Sequence, residues 1–258
     1  MNANGLALVP CRERGWKMGL TNMLAKENHG WWRTRRWWIQ CLLWLIILNV
    51  GSATNLRMGM PDNFLDVAGL VLPIAAIVIS QDAILGERNS GTAAWVFSKP
   101  LRRPAFLLSK IIAYGLGFLV TGVLLPGGIA CLQVIAGGGS LSFLPGFVAS
   151  LGLVYLNLLF YLTLALALAT LFHGRGPVIG IPLFILFLSI IPDSVKLADF
   201  MPWVLATDVG AGNRVLPPLT GYLLSGQPLP TVAPIIATAL WCVLFTCVAF
   251  WRIRREEF

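Results

Sequence analysis

Charge is what this chain has least of. Only 12% of its 258 residues are charged, and between Ile111 and Phe172 there is no Asp, Glu, Lys, Arg or His. A soluble domain carries about twice that share. An uncharged, mostly apolar run of that length equals about two bilayer-crossing helices and a turn. The histidines are two, His29 and His173; a membrane-embedded enzyme would need acids, histidines or nucleophiles clustered at one depth. The five cysteines are odd in number and show no C-x-x-C spacing, and four lie in apolar segments. They read as small buried residues, which excludes a disulfide frame and a metal site. Cys11 follows an apolar run too short for a lipoprotein or secretory signal, with no positive charge before it. The phosphate-cradling pattern G-x-x-x-x-G-K-[ST] is absent, so the chain has no ATP site of its own.

What is present is apolar length. Hydrophobic residues make up 57% of the chain and the mean hydropathy is +0.78. The fold class expected is all-α: a polytopic membrane protein with six transmembrane helices, preceded by an N-terminal interfacial amphipathic helix. The crossings expected are Trp37 to Ala53, Phe64 to Leu85, Ala105 to Ala136, Leu144 to Leu171, Val178 to Ile191 and Val232 to Trp251. The fifth is short for a full crossing and lies between Pro177 and Pro192. Gly137-Gly138-Gly139-Ser140 predicts a tight hairpin between the third and fourth. Before the first span, Leu20, Met23 and Leu24 share one helical face. Trp31, Trp32, Trp37 and Trp38 then bracket Arg33, Arg35 and Arg36. An amphipathic helix followed by an aromatic and basic belt marks a segment lying in the bilayer interface. The chain is thus one membrane domain, 1–258. It comprises a cytoplasmic and interfacial segment 1–36, a cytoplasmic loop 86–110 and an outer loop 193–230.

The net charge of +8 does not indicate nucleic acid, because of where the charge sits. Sixteen of the 19 lysines and arginines fall in the N-terminal segment, the 86–110 loop, the 172–177 connection and the C-terminal tail. Only Arg57, Lys196 and Arg214 fall on the other side. By the positive-inside rule both termini and the 86–110 loop face the cytoplasm, which places the chain in the cytoplasmic (inner) membrane.

That loop is the feature of greatest interest. Asn89 and Ser90 are good N-cap residues, and Thr92 to Ser98 is long enough for about two helical turns. Pro100 stops that helix, and Pro104 suits the first turn of the next. Glu87, Arg88, Lys99, Arg102 and Arg103 are expected in water, with Trp95 and Phe97 as apolar anchors for a partner. Asp66 and Asp82, the acids inside an apolar segment, lie near its two ends and read as anchors, Asp82 within reach of Arg88. No buried Lys or Arg is expected. Tyr114, Tyr155, Asn157, Tyr161 and Thr163 fit either a pathway lining or interhelical hydrogen bonds.

The pattern of the loop resembles the type-2 permeases of ATP-binding cassette (ABC) transporters. The residues that carry the resemblance are Asp82-Ala-Ile-Leu-Gly-Glu87, Ser90-Gly91-Thr92, Ser98-Lys-Pro100, Arg103 and Leu107-Leu-Ser-Lys110. It extends to Lys26-Glu27 and Arg33-Thr-Arg-Arg36, the six spans and the long outer loop. It implies a coupling helix that docks on a separate ATPase, with Glu87, Arg88, Gly91, Thr92, Trp95, Lys99, Pro100 and Arg103 as its coupling residues. It also implies two ABC ATPase subunits and a second permease chain, identical or related, in the lipid bilayer. ATP and Mg would be bound by the ATPase, with no cofactor and no catalysis in this chain. Export is the expected direction. Residues 193–230, with Phe200-Met-Pro-Trp203, are a stretch that such permeases fold back into the membrane. Leu224-Ser225-Gly226-Gln227 mimics part of an ATPase signature, but it lacks the second glycine and precedes Pro228. A secondary transporter, which should show inverted repeats and midplane charges, and a non-transporting membrane scaffold are the alternatives.

Overall fold

A computed structural model describes residues 18–54, 61–91, 101–138, 141–190, 200–211 and 214–255. Its helices are α1 (Leu20–Trp32), α2 (Arg36–Thr54), α3 (Asp62–Asn89), α4 (Arg103–Phe118), α5 (Leu125–Ala136), α6 (Leu144–Leu171), α7 (Arg175–Phe187), α8 (Leu219–Leu224) and α9 (Ala233–Arg255). Among the described residues, four helical stretches are long and apolar enough to cross a bilayer: Asp62–Asn89, Arg103–Ala136, Leu141–Leu171 and Ala233–Arg255. Trp37–Val50 and Arg175–Phe187 are apolar but shorter. The architecture is helical with one small addition that the all-α expectation did not contain. Val209–Ala211 (β1) and Arg214–Leu216 (β2) pair antiparallel in the outer loop, with Val209 opposite Leu216.

The central helix is α6, against which α3, α9, α8 and α7 pack. Its apolar residues go all round rather than in one stripe, as a helix enclosed by neighbours requires. Leu158, Tyr161, Leu162, Ala165 and Ala169 are buried without exposure. At its N-terminal end Phe143 and Phe147 stack edge to face, and Phe147 continues onto Phe64 of α3. Asn157 donates through Nδ2 to the Gly69 carbonyl at 3.0 Å, an interhelical bond between α6 and α3. Gly69 is needed for a second reason. A Cβ there would lie 2.1 Å from the Ala206 carbonyl oxygen, so only glycine lets the outer loop reach α3.

α4 and α5 form one continuous rod through a π-helical segment, Leu119–Leu124, just before Pro126. The proline lacks the amide hydrogen that an α-helix would use at that turn, and the wider π turn is a common local adjustment. Asn49 of α2 donates to the Pro126 carbonyl at 3.4 Å.

Part of the 193–230 stretch packs against the helices. Pro202–Leu205 forms a 3-10 turn whose Trp203 and Leu205 are fully buried in the main core. The Leu224–Gln227 run is a helix terminus. Ser225 closes α8, Gly226 takes φ +69°, and the Gln227 amide donates back to the Tyr222 carbonyl at 2.9 Å. Glycine in the left-handed region with a backward hydrogen bond is a common helix stop. That ending accounts for the likeness to an ATPase signature.

Candidate functional site

The C-terminal end of α3 is where the expected coupling residues begin, and it is fixed from several directions. Glu87 Oε1 accepts from Lys26 Nζ of α1 at 2.6 Å and lies 3.1 Å from Lys110 Nζ of α4. Lys110 also donates to Glu27 Oε1 of α1 at 3.0 Å, and Lys26 lies 3.7 Å from that same oxygen. Two lysines and two glutamates thus form one neutral cluster joining α1, α3 and α4. The Lys110 side chain is 1% exposed, and its ammonium sits 4.7 Å from the centroid of Phe106. A buried ammonium needs this degree of pairing, since an isolated one would be strongly disfavoured.

Arg88 faces elsewhere. Its Nη1 donates to the carbonyls of Phe172 at 3.1 Å and Ala169 at 3.3 Å, at the C-terminal end of α6. A cation there satisfies orphan helix carbonyls and complements the negative end of the helix dipole. Arg103, in the first turn of α4, does the same for α9, donating to the carbonyls of Arg254 at 2.8 Å and Ile253 at 3.5 Å. The Arg102 amide donates to the Met18 carbonyl at 3.1 Å. Gly91 ends the α3 turn with φ +70°, and its amide donates to the Arg88 carbonyl at 3.2 Å.

The structure departs from the sequence expectations at several residues. Glu87 and Arg88 are half-buried and bonded to other helices, not presented to water. Asp82 pairs with Arg175 of α7 at 2.9 Å rather than with Arg88, because Arg88 is directed to the end of α6. A buried lysine does exist, Lys110. Asn89 is the last residue of α3 and Ser90 its C-cap, so both close a helix instead of opening one. Pro104 occupies the first turn of α4 as its ring predicts. Thr92, Trp95, Lys99 and Pro100, with the helix expected over 92–98, lie outside the described residues.

Beside the cluster is a cavity of about 550 Å³ whose walls come from α1, α2, α3, α4 and α7. Sequence reasoning missed it. The one available signal was the placement of two glutamines, Gln40 and Gln81, inside apolar spans. Among the described residues, no group of three or more His, Cys, Asp or Glu is placed to hold a metal ion.

Residues 39–258 match the model of a protein family described as "Protein of unknown function (DUF2705)". The chain belongs to that family. The chain is 26% identical over 259 residues to the "Probable ABC transporter permease protein NosY" of Stutzerimonas stutzeri, covering 88% of this chain and 92% of the relative. The protein of that name from Pseudomonas aeruginosa is 26% identical over 239 residues, covering 81% and 86%. The "Uncharacterized transmembrane protein YxlG" of Bacillus subtilis is 26% identical over 201 residues, covering 72% and 69%. Two of these three relatives carry the name of a transporter permease, and the third is described as transmembrane.

Proposed function

We propose that the chain is the membrane permease subunit of an ABC transporter of the type-2 kind, exporting its substrate. A separate ATPase binds ATP and Mg and docks on the 86–110 segment, where this chain supplies motion rather than catalysis. Six crossings by α2, α3, α4 with α5, α6, α7 and α9 leave both termini in the cytoplasm of an inner membrane, with α1 lying in the interface. Two permease chains pair, each with one ATPase subunit.

The names of the relatives support the class, and the 16-to-3 distribution of basic residues supports the orientation. One structural observation carries the coupling role. Both flanks of residues 92–100 are held by charged side chains to other helices: Glu87 to α1 and α4, Arg88 to α6, and Arg103 to α9. A displacement of that segment is therefore passed to four helices at once, as a nucleotide-driven switch requires.

The test is co-purification of the ATPase with full-length permease carrying Trp95→Ala or Lys99→Glu. Each is expected to lower ATPase retention and transport together while the melting temperature of the permease alone is unchanged. If both variants hold the ATPase and transport at the parental rate, the segment does not couple.

A further inference from the structure

The cavity beside the charge cluster has features that ATPase docking does not use. Its volume of about 550 Å³ lies within the range of small-ligand sites. The walls change character along α3. Gln81 and Asp82 form its polar part, while Val78 and Ile79, one helical turn nearer the middle of the span, form its apolar part. Val78 is largely exposed. A site polar at the end of a span and apolar one turn deeper fits an amphiphile at the bilayer boundary.

Three polar atoms in the lining have no partner among the described residues: Gln81 Oε1, Gln40 Oε1 and Trp31 Nε1. Gln81 is 8% exposed and Trp31 9%, so bulk water has little access to either. Buried polar atoms are normally satisfied, which makes two acceptors and one donor a requirement for a ligand or ordered water. At the rim, Asp82 and Arg175 pair at 2.9 Å with side chains 60% and 61% exposed. An ion pair so exposed is held weakly. It can exchange its internal partner for a ligand that brings a cation and an anion together. Glu27, Glu87 and Lys110 are already mutually paired and offer no such opening.

We propose that this cavity binds the headgroup of an ethanolamine phospholipid. The primary ammonium supplies N–H donors to the Gln81 and Gln40 oxygens and a cation to Asp82. The phosphate takes Arg175 and the Trp31 N–H, and the acyl chains leave past Val78 and Ile79. A choline headgroup has no N–H donor and leaves both glutamine oxygens unmet. The proposal rests on α3 crossing the membrane and is independent of ATPase docking, so its failure would leave the coupling role standing.

The full-length permease, delipidated in mild detergent, is titrated with dioleoyl phosphatidylethanolamine, dioleoyl phosphatidylcholine and soluble phosphoethanolamine, and bound species are counted by native mass spectrometry. The ethanolamine lipid is expected to bind about tenfold more tightly than the choline lipid. That preference should vanish in Gln81→Leu and fall in Gln40→Leu, because only the ethanolamine lipid brings N–H donors to those oxygens. Gln40 is half-buried on a different helix, α2, which keeps the test valid if the first variant fails to fold. Equal binding of the two lipids would overturn the proposal, as would a preference that survives both substitutions. Soluble phosphoethanolamine binding as tightly as the lipid would overturn the assignment to a lipid.

Discussion

Removing both carboxylates that face Lys110 should expose how the coupling end of the bundle is held together. In a Glu27→Gln/Glu87→Gln variant the ammonium keeps its 1% exposure but loses the anions at 3.0 and 3.1 Å. Neutral carboxamides then face it in place of the anions, beside the Phe106 ring. Breaking a buried ion pair from one side typically costs about 3–5 kcal/mol, because the remaining charge stays out of water. For a chain of this size that corresponds to a melting temperature lower by about 6–20 °C. Lys110→Met should behave differently. It removes the buried cation, keeps most of the apolar stem, and leaves Glu27 and Glu87 with Lys26 at 3.7 and 2.6 Å. A shift of no more than about 4 °C is expected, since replacing a buried charge by an apolar residue is often near neutral. Combining all three substitutions should recover most of the loss, as the stranded cation is then gone. The assay is thermal unfolding of purified protein in one detergent. A double-glutamine variant melting within about 2 °C of the parent would refute the reasoning, as would Lys110→Met melting equally low.

Trp203→Ala should destabilise by about 3–5 kcal/mol, read in the same assay, because a fully buried indole leaves a cavity that the loop cannot refill. Arg88→Ala should cost about 1–3 kcal/mol by leaving the α6 carbonyls of Ala169 and Phe172 without their donor, whereas Arg175→Ala, losing only an exposed pair, should shift stability by less than about 1 kcal/mol. Single cysteines at 89, 213 and 258 in a Cys-free background should label from the cytoplasm, the outside and the cytoplasm respectively; labelling of position 213 from the cytoplasm would contradict the six-crossing arrangement.

The four long apolar helices were legible because their signals are local. The expected Leu144 to Leu171 coincides with α6, whose start is set by Pro145 in its first turn. The short Val178 to Ile191 segment corresponds to α7 and the 3-10 turn of Leu188–Ile190. What composition concealed were features that depend on distant partners. Lys110 reads as a basic residue trailing a loop, yet its burial is set by Glu27, 83 positions away. Trp203 lies in a short apolar patch, Phe200 to Ala206, inside a loop rich in proline and glycine, and tertiary packing makes it core. The π-helical segment had a trace in the sequence, Gly122 four residues before Pro126, but the choice between a kink and a wider turn is made by neighbouring helices.

Glu87 and Arg88 show why adjacency in sequence misled most where function was concerned. Successive residues on a helix point about 100° apart, so the two cannot serve one surface. Glu87 turns to α1 and α4, and Arg88 turns to α6. Read from the sequence, the pair is a charged face for a soluble partner, and reversing both charges is a docking probe. In the folded chain the same reversal would place a lysine beside Lys26 and Lys110 and a glutamate against two helix-end carbonyls. Loss of ATPase binding in that variant would then report a damaged bundle. On the proposed reading, the pair acts as a junction that divides any movement beyond Gly91 among three helices. Recognition of an ATPase would then come from side chains that the junction leaves accessible. Asn89 and Arg102 are exposed on its two flanks, and Trp95 and Lys99 lie between them in the chain. If coupling and docking are separated in this way, Asn89→Glu combined with Arg102→Glu should weaken ATPase retention with no change in melting temperature. Glu87→Gln with Glu27→Gln should instead lower the melting temperature first. A pair of variants that moved both readouts in parallel would show that one set of residues performs both tasks.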